Sequence, residues 1–374
     1  MLKEIREDLN KLFIGREAEI DSLILAWLTN QNVLLLGKPG TGKSFLAKTF
    51  SEMIGCSKHY THQMNKETSV SEIFGPYSIK SYKEHDRYIR IRKGTLLEAE
   101  TADLDEIFKC NSATLNALLS ALNERVYKEE GMDHPLPLRM VIGASNELPE
   151  GPELNALYDR FLFRHDVRNL DFEEREILAA RARTPISLYT ASVEEARTIL
   201  GTAQMTISQM VIAPEIREKY WEVSKKLMFT HGITVSERRD LQIFEALKAN
   251  AYLNDRTTVT VDDFSILEHV MWTKPDQRSK IADVVIAVAS PGIVEIRKLQ
   301  DAMIELRNRV DVAKGTYGVR DDILLAINKD KNDILARCEE IVKDSPVQRV
   351  KATYEDIIVV AGKIRAKVAA EMNL

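Results

Sequence analysis

The chain has 374 residues, 44% of them hydrophobic and 29% charged, with a formal net charge of −5. That is globular composition, long enough for two or three packed units, and it excludes wholesale disorder and a uniformly basic nucleic-acid binder. Three scattered cysteines, Cys56, Cys110 and Cys338, form no CxxC or Cys/His cluster and argue against a zinc site or a disulfide framework. No apolar run approaches the ~18 residues of a membrane span. The acids in Met1-Leu-Lys-Glu-Ile-Arg-Glu-Asp8 sit where a secretory leader needs an apolar stretch, so a cytoplasmic protein is expected.

Short apolar runs alternate with amphipathic segments up to about residue 165. Val33–Leu36 and Met140–Ala144 read as buried strands, while 45–53 and 112–122 read as helices. Strands alternating with helices predict an α/β fold built on a parallel sheet. Beyond 170 the strand signals fade. Pro214 opens a helix over 215–227, Ser236 caps one reaching Tyr252, and Thr260 with Asp263 forms a capping box for a helix over 261–272. After Pro275, one stripe carries Ile293, Ile296, Leu299, Met303, Leu306 and Val310, and another carries Val350, Tyr354, Ile357, Ala361, Ile364 and Val368. Separated by Gly315, Gly318 and Pro346, these stripes predict a three-helix bundle. The expected division is a nucleotide-binding core over 1–200, an all-α lid over 201–275 and the bundle over 276–374.

The strongest chemical signal is Gly37-Lys-Pro-Gly-Thr-Gly-Lys43-Ser44, a G-x-x-x-x-G-K-[ST] loop between a strand and a helix. Glycines let successive N–H groups face phosphate oxygens, and the helix adds the positive end of its dipole. Lys43 reaches the β and γ phosphates and Ser44 ligates magnesium in such a loop. The predicted ligands are therefore a nucleoside triphosphate and Mg²⁺, with Gly37, Pro39, Gly40, Thr41, Gly42, Lys43, Ser44 and Phe45 around the nucleotide; the resemblance given below makes that nucleotide ATP. Leu104-Asp105-Glu106, about sixty residues on, supplies Asp105 for the metal and Glu106 as general base. Asn146 follows the run 140–144 and is placed to orient the lytic water. Arg160 and Arg164 have the planar guanidinium suited to charge on a transferring phosphoryl group; pointed outward, they would serve a neighbour's nucleotide in a ring.

With these residues the chain resembles an AAA+ ATPase of the MoxR family, closest to its RavA branch. The resemblance rests on the phosphate loop, on Leu104-Asp-Glu-Ile107 followed by Asn116-Ala-Leu-Leu119 and Leu122-Asn-Glu-Arg125, on Ala144-Ser-Asn-Glu-Leu-Pro149 (sensor 1), and on Leu157-Tyr-Asp-Arg-Phe161. Ile73-Phe-Gly-Pro-Tyr-Ser78 leading into Gly94-Thr-Leu-Leu-Glu-Ala99 follows the same branch. The resemblance implies that Gly15 and Arg16 meet the base, that Arg160 is the arginine finger, and that Arg238, after Ser236-Glu, is the sensor 2 arginine with Arg239 as its alternative. It also implies a homo-oligomer, a hexameric ring, that remodels a protein client with a partner bearing a von Willebrand A domain. No Asp-x-Ser-x-Ser signature of that domain occurs in the sequence, so the partner is expected to be separate. The bundle resembles the RavA branch's triple-helical module but has no room for the folded insertion found there.

Two features depart from a plain reading. Asp103 stands in the strand leading to Asp105, where an acid is costly unless paired or protonated. Arg87-Tyr-Ile-Arg-Ile-Arg-Lys93 alternates as a strand would, with Tyr88, Arg90 and Arg92 on one face. In the family this stretch is the helix 2 insert; as a basic hairpin it suits an acidic polypeptide or a nucleic-acid backbone, and it supports the alternative of a nucleic-acid motor or loader. Residues 125–138 are expected to form a second hairpin.

Overall fold

The computed structural model describes residues 1–181, 187–289, 291–313, 320–344 and 348–372. Contacts divide the chain into two compact units. One comprises Met1–Ile212, Val235–Val259 and His269–Pro275, the other Ala213–Thr234, Thr260–Glu268 and Asp276–Leu374. Residues 201–275, expected as a lid, thus contribute to both.

The first unit is organised by a five-stranded parallel sheet: β1 (Val33–Leu36), β2 (His59–Gln63), β3 (Thr101–Asp105), β6 (Met140–Ser145) and β7 (Phe163–Asp166), in the order β2-β3-β6-β1-β7. Every residue of β1 and β6 is buried, as the aliphatic runs require of strands covered on both faces. Leu36 pairs with Ser145 and with Asp166, so β1, β6 and β7 end side by side. A separate antiparallel hairpin joins β4 (Val126–Glu129) to β5 (Met132–Pro135) through Glu130 and Gly131, both at positive φ, as expected for 125–138. Among the helices, Lys43–Met53 follows the phosphate loop, and Ser112–Asn123 is capped by the Asn111 carboxamide, which accepts from the Thr114 N–H at 3.0 Å.

In the second unit, Pro214–His231 begins with proline in its first turn and ends at Gly232 in the left-handed region. The Asp263 carboxylate accepts from the Thr260 N–H at 2.8 Å, as its capping role predicts. The segment it opens is not one α-helix over 261–272, however: it winds as a 3₁₀ stretch, Val261–Ile266, before a single α-turn, Leu267–Val270. Helices Pro291–Ala313, Arg320–Asp344 and Gln348–Met372 form the expected bundle. Ile296, Met303 and Leu306 pack with Leu324, Ile327, Cys338, Ile357, Ala361 and Ile364. The side chains of Ile293, Val310 and Val350 and the breaks at Gly315, Gly318 and Pro346 lie outside the described residues. No helix among the described residues is long and apolar enough to cross a membrane.

Candidate nucleotide site at the strand ends

The phosphate loop leaves β1 at the edge where the central strands end, and the Gly37 N–H bonds back to the Ser145 carbonyl at 3.0 Å. Gly42 caps the following helix with φ 82°, a left-handed conformation that side-chain-bearing residues adopt at a cost. Pro39, exposed in the loop, adds no N–H donor. The Lys43 ammonium folds into the loop and donates to the carbonyls of Gly37 at 2.8 Å and Lys38 at 3.1 Å. Burial holds its pKa below the ordinary lysine value, opposed by the charges of Asp105 and Glu106. Next to it, the exposed Ser44 hydroxyl faces Asp105 Oδ2 at 3.4 Å across sixty residues of sequence.

Asp105 ends β3, and its Oδ1 accepts the Glu106 N–H at 2.9 Å. Glu106 itself is left-handed, with φ 53° and ψ 40°, which turns its side chain out of the strand direction. Asn146 follows β6 and, with Gly37, Lys38, Asp166 and Arg168, lines a cleft of about 280 Å³. Asp166 and Arg168 escaped the sequence reading because the short polar β7 that delivers them carries no aliphatic run.

A second cleft, of about 350 Å³, opens on the other flank of the loop between Phe13, Arg16, Thr41, Phe45 and Leu170. Its size and apolar walls suit a nucleobase. Phe45 is 58% exposed and lies 5.1 Å from the Phe13 ring, leaving an aromatic face open for stacking. Arg16 is buried, and its Nη2 donates to the Arg168 carbonyl at 2.7 Å. Gly15 sits at φ 64°, a left-handed conformation that residues with a side chain adopt at a cost, and a Cβ there would push on the Glu174 carboxylate, 2.5 Å away.

The expected arginines are at the opposite edge, where β1 and β7 begin. Arg164 lies on β7 and is 1% exposed. Its guanidinium donates to the carbonyls of Phe161 at 3.0 Å, Trp272 at 2.5 Å and Tyr158 at 3.2 Å, and stacks 3.9 Å from the Tyr158 ring. This corrects its expected role: a buried guanidinium committed to three carbonyls cannot reach a neighbour's phosphate. Arg239 is occupied in the same way by the carbonyls of Val270 at 2.6 Å and Leu162 at 2.7 Å. Arg160 and Arg238 differ. Arg160 is half-buried, its Nε shut off from solvent without a hydrogen-bond partner. Arg238 is exposed; partial burial and the neighbouring Arg160 lower its pKa, and Asp159 opposes them. The structure thus brings Arg160 and Arg238 together, a strand's length (roughly 12 Å) from their own phosphate loop.

A family model described as the MoxR domain in the MoxR-vWA-beta-propeller ternary systems matches residues 1–199, and a model of the AAA lid domain matches residues 212–285. The chain belongs to the MoxR family of AAA+ proteins. An uncharacterized protein of Methanocaldococcus jannaschii is 35% identical over 317 residues, covering 84% of this chain and 82% of the relative. The chaperone MoxR1 of Mycobacterium tuberculosis is 25% identical over 211 residues, 55% of this chain and 52% of that protein. A crystal structure from Cytophaga hutchinsonii, of a protein put forward as an ATPase, matches with a TM-score of 0.59 and 18% identity over 76% of this chain and 92% of the other. At that identity the likeness shows the fold alone.

In this MoxR chain the basic stretch 87–93 does not form the expected strand hairpin. Its one bridge pairs Arg90 with Tyr77, and the face expected to carry Tyr88 with Arg90 is split, Tyr88 being 55% exposed and Arg90 8%. The β4–β5 hairpin pairs two of its four cations and holds a third by hydrogen bonds. Glu130 pairs with Arg87 at 2.7 Å, Glu129 pairs with Arg92 at 3.1 Å and accepts the Arg90 N–H at 2.7 Å, and Arg90 Nε donates to the Tyr127 hydroxyl at 2.6 Å. The two loops are tied together, and the large apolar side chains they expose include Tyr77, Ile79, Tyr82, Tyr88, Ile91 and Met132.

Proposed function

We propose that this MoxR protein is a Mg²⁺-dependent ATPase that works as a ring of identical subunits, a hexamer, to remodel a protein client. The observation that carries the proposal is the meeting of Lys43, Ser44, Asp105 and Glu106 at one edge of the sheet, with Ser44 Oγ and Asp105 Oδ2 3.4 Å apart. Lys43 would exchange its loop carbonyls for phosphate oxygens, and Phe45, Gly15 and Arg16 would border the base. Ser44 and Asp105 offer two hard oxygen donors, a fit for Mg²⁺, which keeps several waters and shares ligation with phosphates. When bound, the ion neutralises charge on the phosphate oxygens. Glu106 accepts the proton of the attacking water, and Asn146 orients that water.

Because Arg160 and Arg238 stand at the far edge, we assign both to the triphosphate of an adjoining protomer, where a guanidinium stabilises developing charge. The exposure of Arg238 and the only partial burial of Arg160 support this reading, since neither is sealed inside the fold as Arg164 is. The three-helix bundle supports a RavA-like organisation with core, lid and bundle over 1–200, 201–275 and 276–374. The matched family's description supports a separate partner with a von Willebrand A domain. Three free thiols, Cys56, Cys110 and Cys338, suit the cytoplasm. The nucleic-acid alternative loses its main support, because Arg87, Arg90 and Arg92 are already neutralised or buried.

The test is steady-state ATP hydrolysis with and without Mg²⁺, beside Glu106→Gln. The variant is expected to bind ATP with wild-type affinity while turnover falls at least a hundredfold. Undiminished turnover, or a wild-type chain with no affinity for ATP, would reject the reading.

A further inference from the structure

Glu106 is held by a neighbour that its assigned role does not include. The backbone of Glu106 turns left-handed and starts a 3₁₀ turn, Ile107–Lys109, in which the Lys109 N–H bonds to the Glu106 carbonyl at 2.8 Å. This tight winding carries the side chain three residues on back over the carboxylate, with Lys109 Nζ 3.3 Å from Glu106 Oε2. The two oxygens of Glu106 are not equivalent. Oε2 is shut off from solvent and faces the ammonium with no aligned hydrogen bond, whereas Oε1 remains accessible. Lys109 is 42% exposed, so it approaches from the solvent side and closes over Oε2.

We propose that Lys109 is a positioning residue for hydrolysis: its ammonium anchors Oε2, so that Oε1 is the oxygen offered to the lytic water. A general base must present one lone pair at hydrogen-bond distance and in a fixed direction, and a carboxylate free to rotate about its last torsion does so only part of the time. The left-handed turn fits this role, because it holds base and anchor in one short segment independent of the rest of the site. The inference rests on Glu106 being the base.

The experiment compares Lys109→Met, Lys109→Arg, Glu106→Gln and the double variant Lys109→Met/Glu106→Gln. The readouts are kcat and KM for Mg-ATP and the Kd of a non-hydrolysable ATP analogue. Lys109→Met is expected to lower kcat five- to tenfold with KM and Kd unchanged. Lys109→Arg is expected to restore most of the loss, and Lys109→Met should cause no further loss when Glu106 is already Gln. Wild-type kcat in Lys109→Met, a rise in kcat, an equal loss in Kd, or failure of arginine to rescue would each overturn the proposal. If Glu106→Gln also retained full turnover, the assignment of the base would fall with it; a dead Glu106→Gln beside an unaffected Lys109→Met would remove only the role of Lys109.

Discussion

At the edge where β1, β3 and β6 end, polar groups ranging from the buried Lys43 to the exposed Ser44 and Asn146 sit on loops shaped by glycine and by the left-handed Glu106. At the opposite edge, where β1 and β7 begin, long arginine side chains run inward and end on backbone carbonyls. Arg164 uses the carbonyls of Phe161, Trp272 and Tyr158, Arg239 those of Val270 and Leu162, and Arg125 those of Asn30 and Arg139 together with the Asn32 carboxamide. The first edge keeps its chemical groups loosely satisfied so that a ligand can claim them. The second spends its guanidinium donors on backbone carbonyls, Arg125 Nη1 excepted, and so fastens the chain to itself. Arg160 and Arg238 belong to the second edge by position, yet Arg238 is exposed and Arg160 only half-buried, which is why we propose these two, and not Arg164 or Arg239, for the neighbour's triphosphate.

The contrast can be broken most severely at Arg164. Replacing it with methionine leaves three inward carbonyls without a donor, and removing a buried hydrogen-bonded charge of this kind costs about 3 to 5 kcal/mol. Thermal unfolding should fall by roughly 10 °C. Arg160→Met, by contrast, should change stability by less than about 1 kcal/mol, since its guanidinium fastens nothing comparable. Similar melting temperatures for the two variants would mean that saturation of donors does not separate the structural arginines from the functional ones.

Between the two edges lies Asp103, buried on β3 with Oδ1 unsatisfied. Burial, reinforced by the charge of Asp105, pushes its carboxyl pKa up to about 7. A carboxyl whose pKa rises on folding keeps its proton in the folded state after the unfolded chain has released it. Its effect therefore favours folding least above pH 7, and stability falls as pH rises from about 4 to 7. Asp103→Leu should stabilise the protein by about 2 to 3 kcal/mol at pH 8 and by much less at pH 5. Denaturant titrations at the two pH values check this; a gap between variant and wild type that does not widen with pH would show that Asp103 is ionised and satisfied in the fold.

These features were unequally legible in the sequence. β1 and β6 are continuous aliphatic runs, and the phosphate loop, Asp105, Glu106 and Asn146 follow directly from their positions at strand ends. β2 and β7 were invisible, because His59-Tyr-Thr-His-Gln63 is an edge strand with partly exposed side chains and Phe163-Arg-His-Asp166 buries two polar residues. Arg164 is accommodated there by carbonyls supplied partly from residue 272, and His165 by Ser22 at 2.8 Å. Local pattern contains neither partner. The same non-locality hid the neutralisation of Arg87 and Arg92 by acids some forty residues away. It also left Arg164 and Arg239 standing as candidates behind Arg160 and Arg238 until burial separated them.

The finest discrimination concerns Arg160 and Arg238 themselves. If they act on a neighbour's triphosphate, Arg160→Ala should lower turnover about a thousandfold in assembled protein, the lower end of what an arginine finger contributes, while ATP affinity measured on separated subunits is unchanged. A subunit with Arg160→Ala still has its own Glu106, and a subunit with Glu106→Gln still has its own Arg160. Mixing the two poorly active proteins should therefore restore part of the turnover, because the Glu106→Gln subunit lends its arginines to the intact base next door. The same holds for Arg238→Ala. Mixtures no more active than their weaker parents would place both guanidinium groups in the service of their own subunit, and the apparent division between the two edges of the sheet would then disappear in the assembled protein.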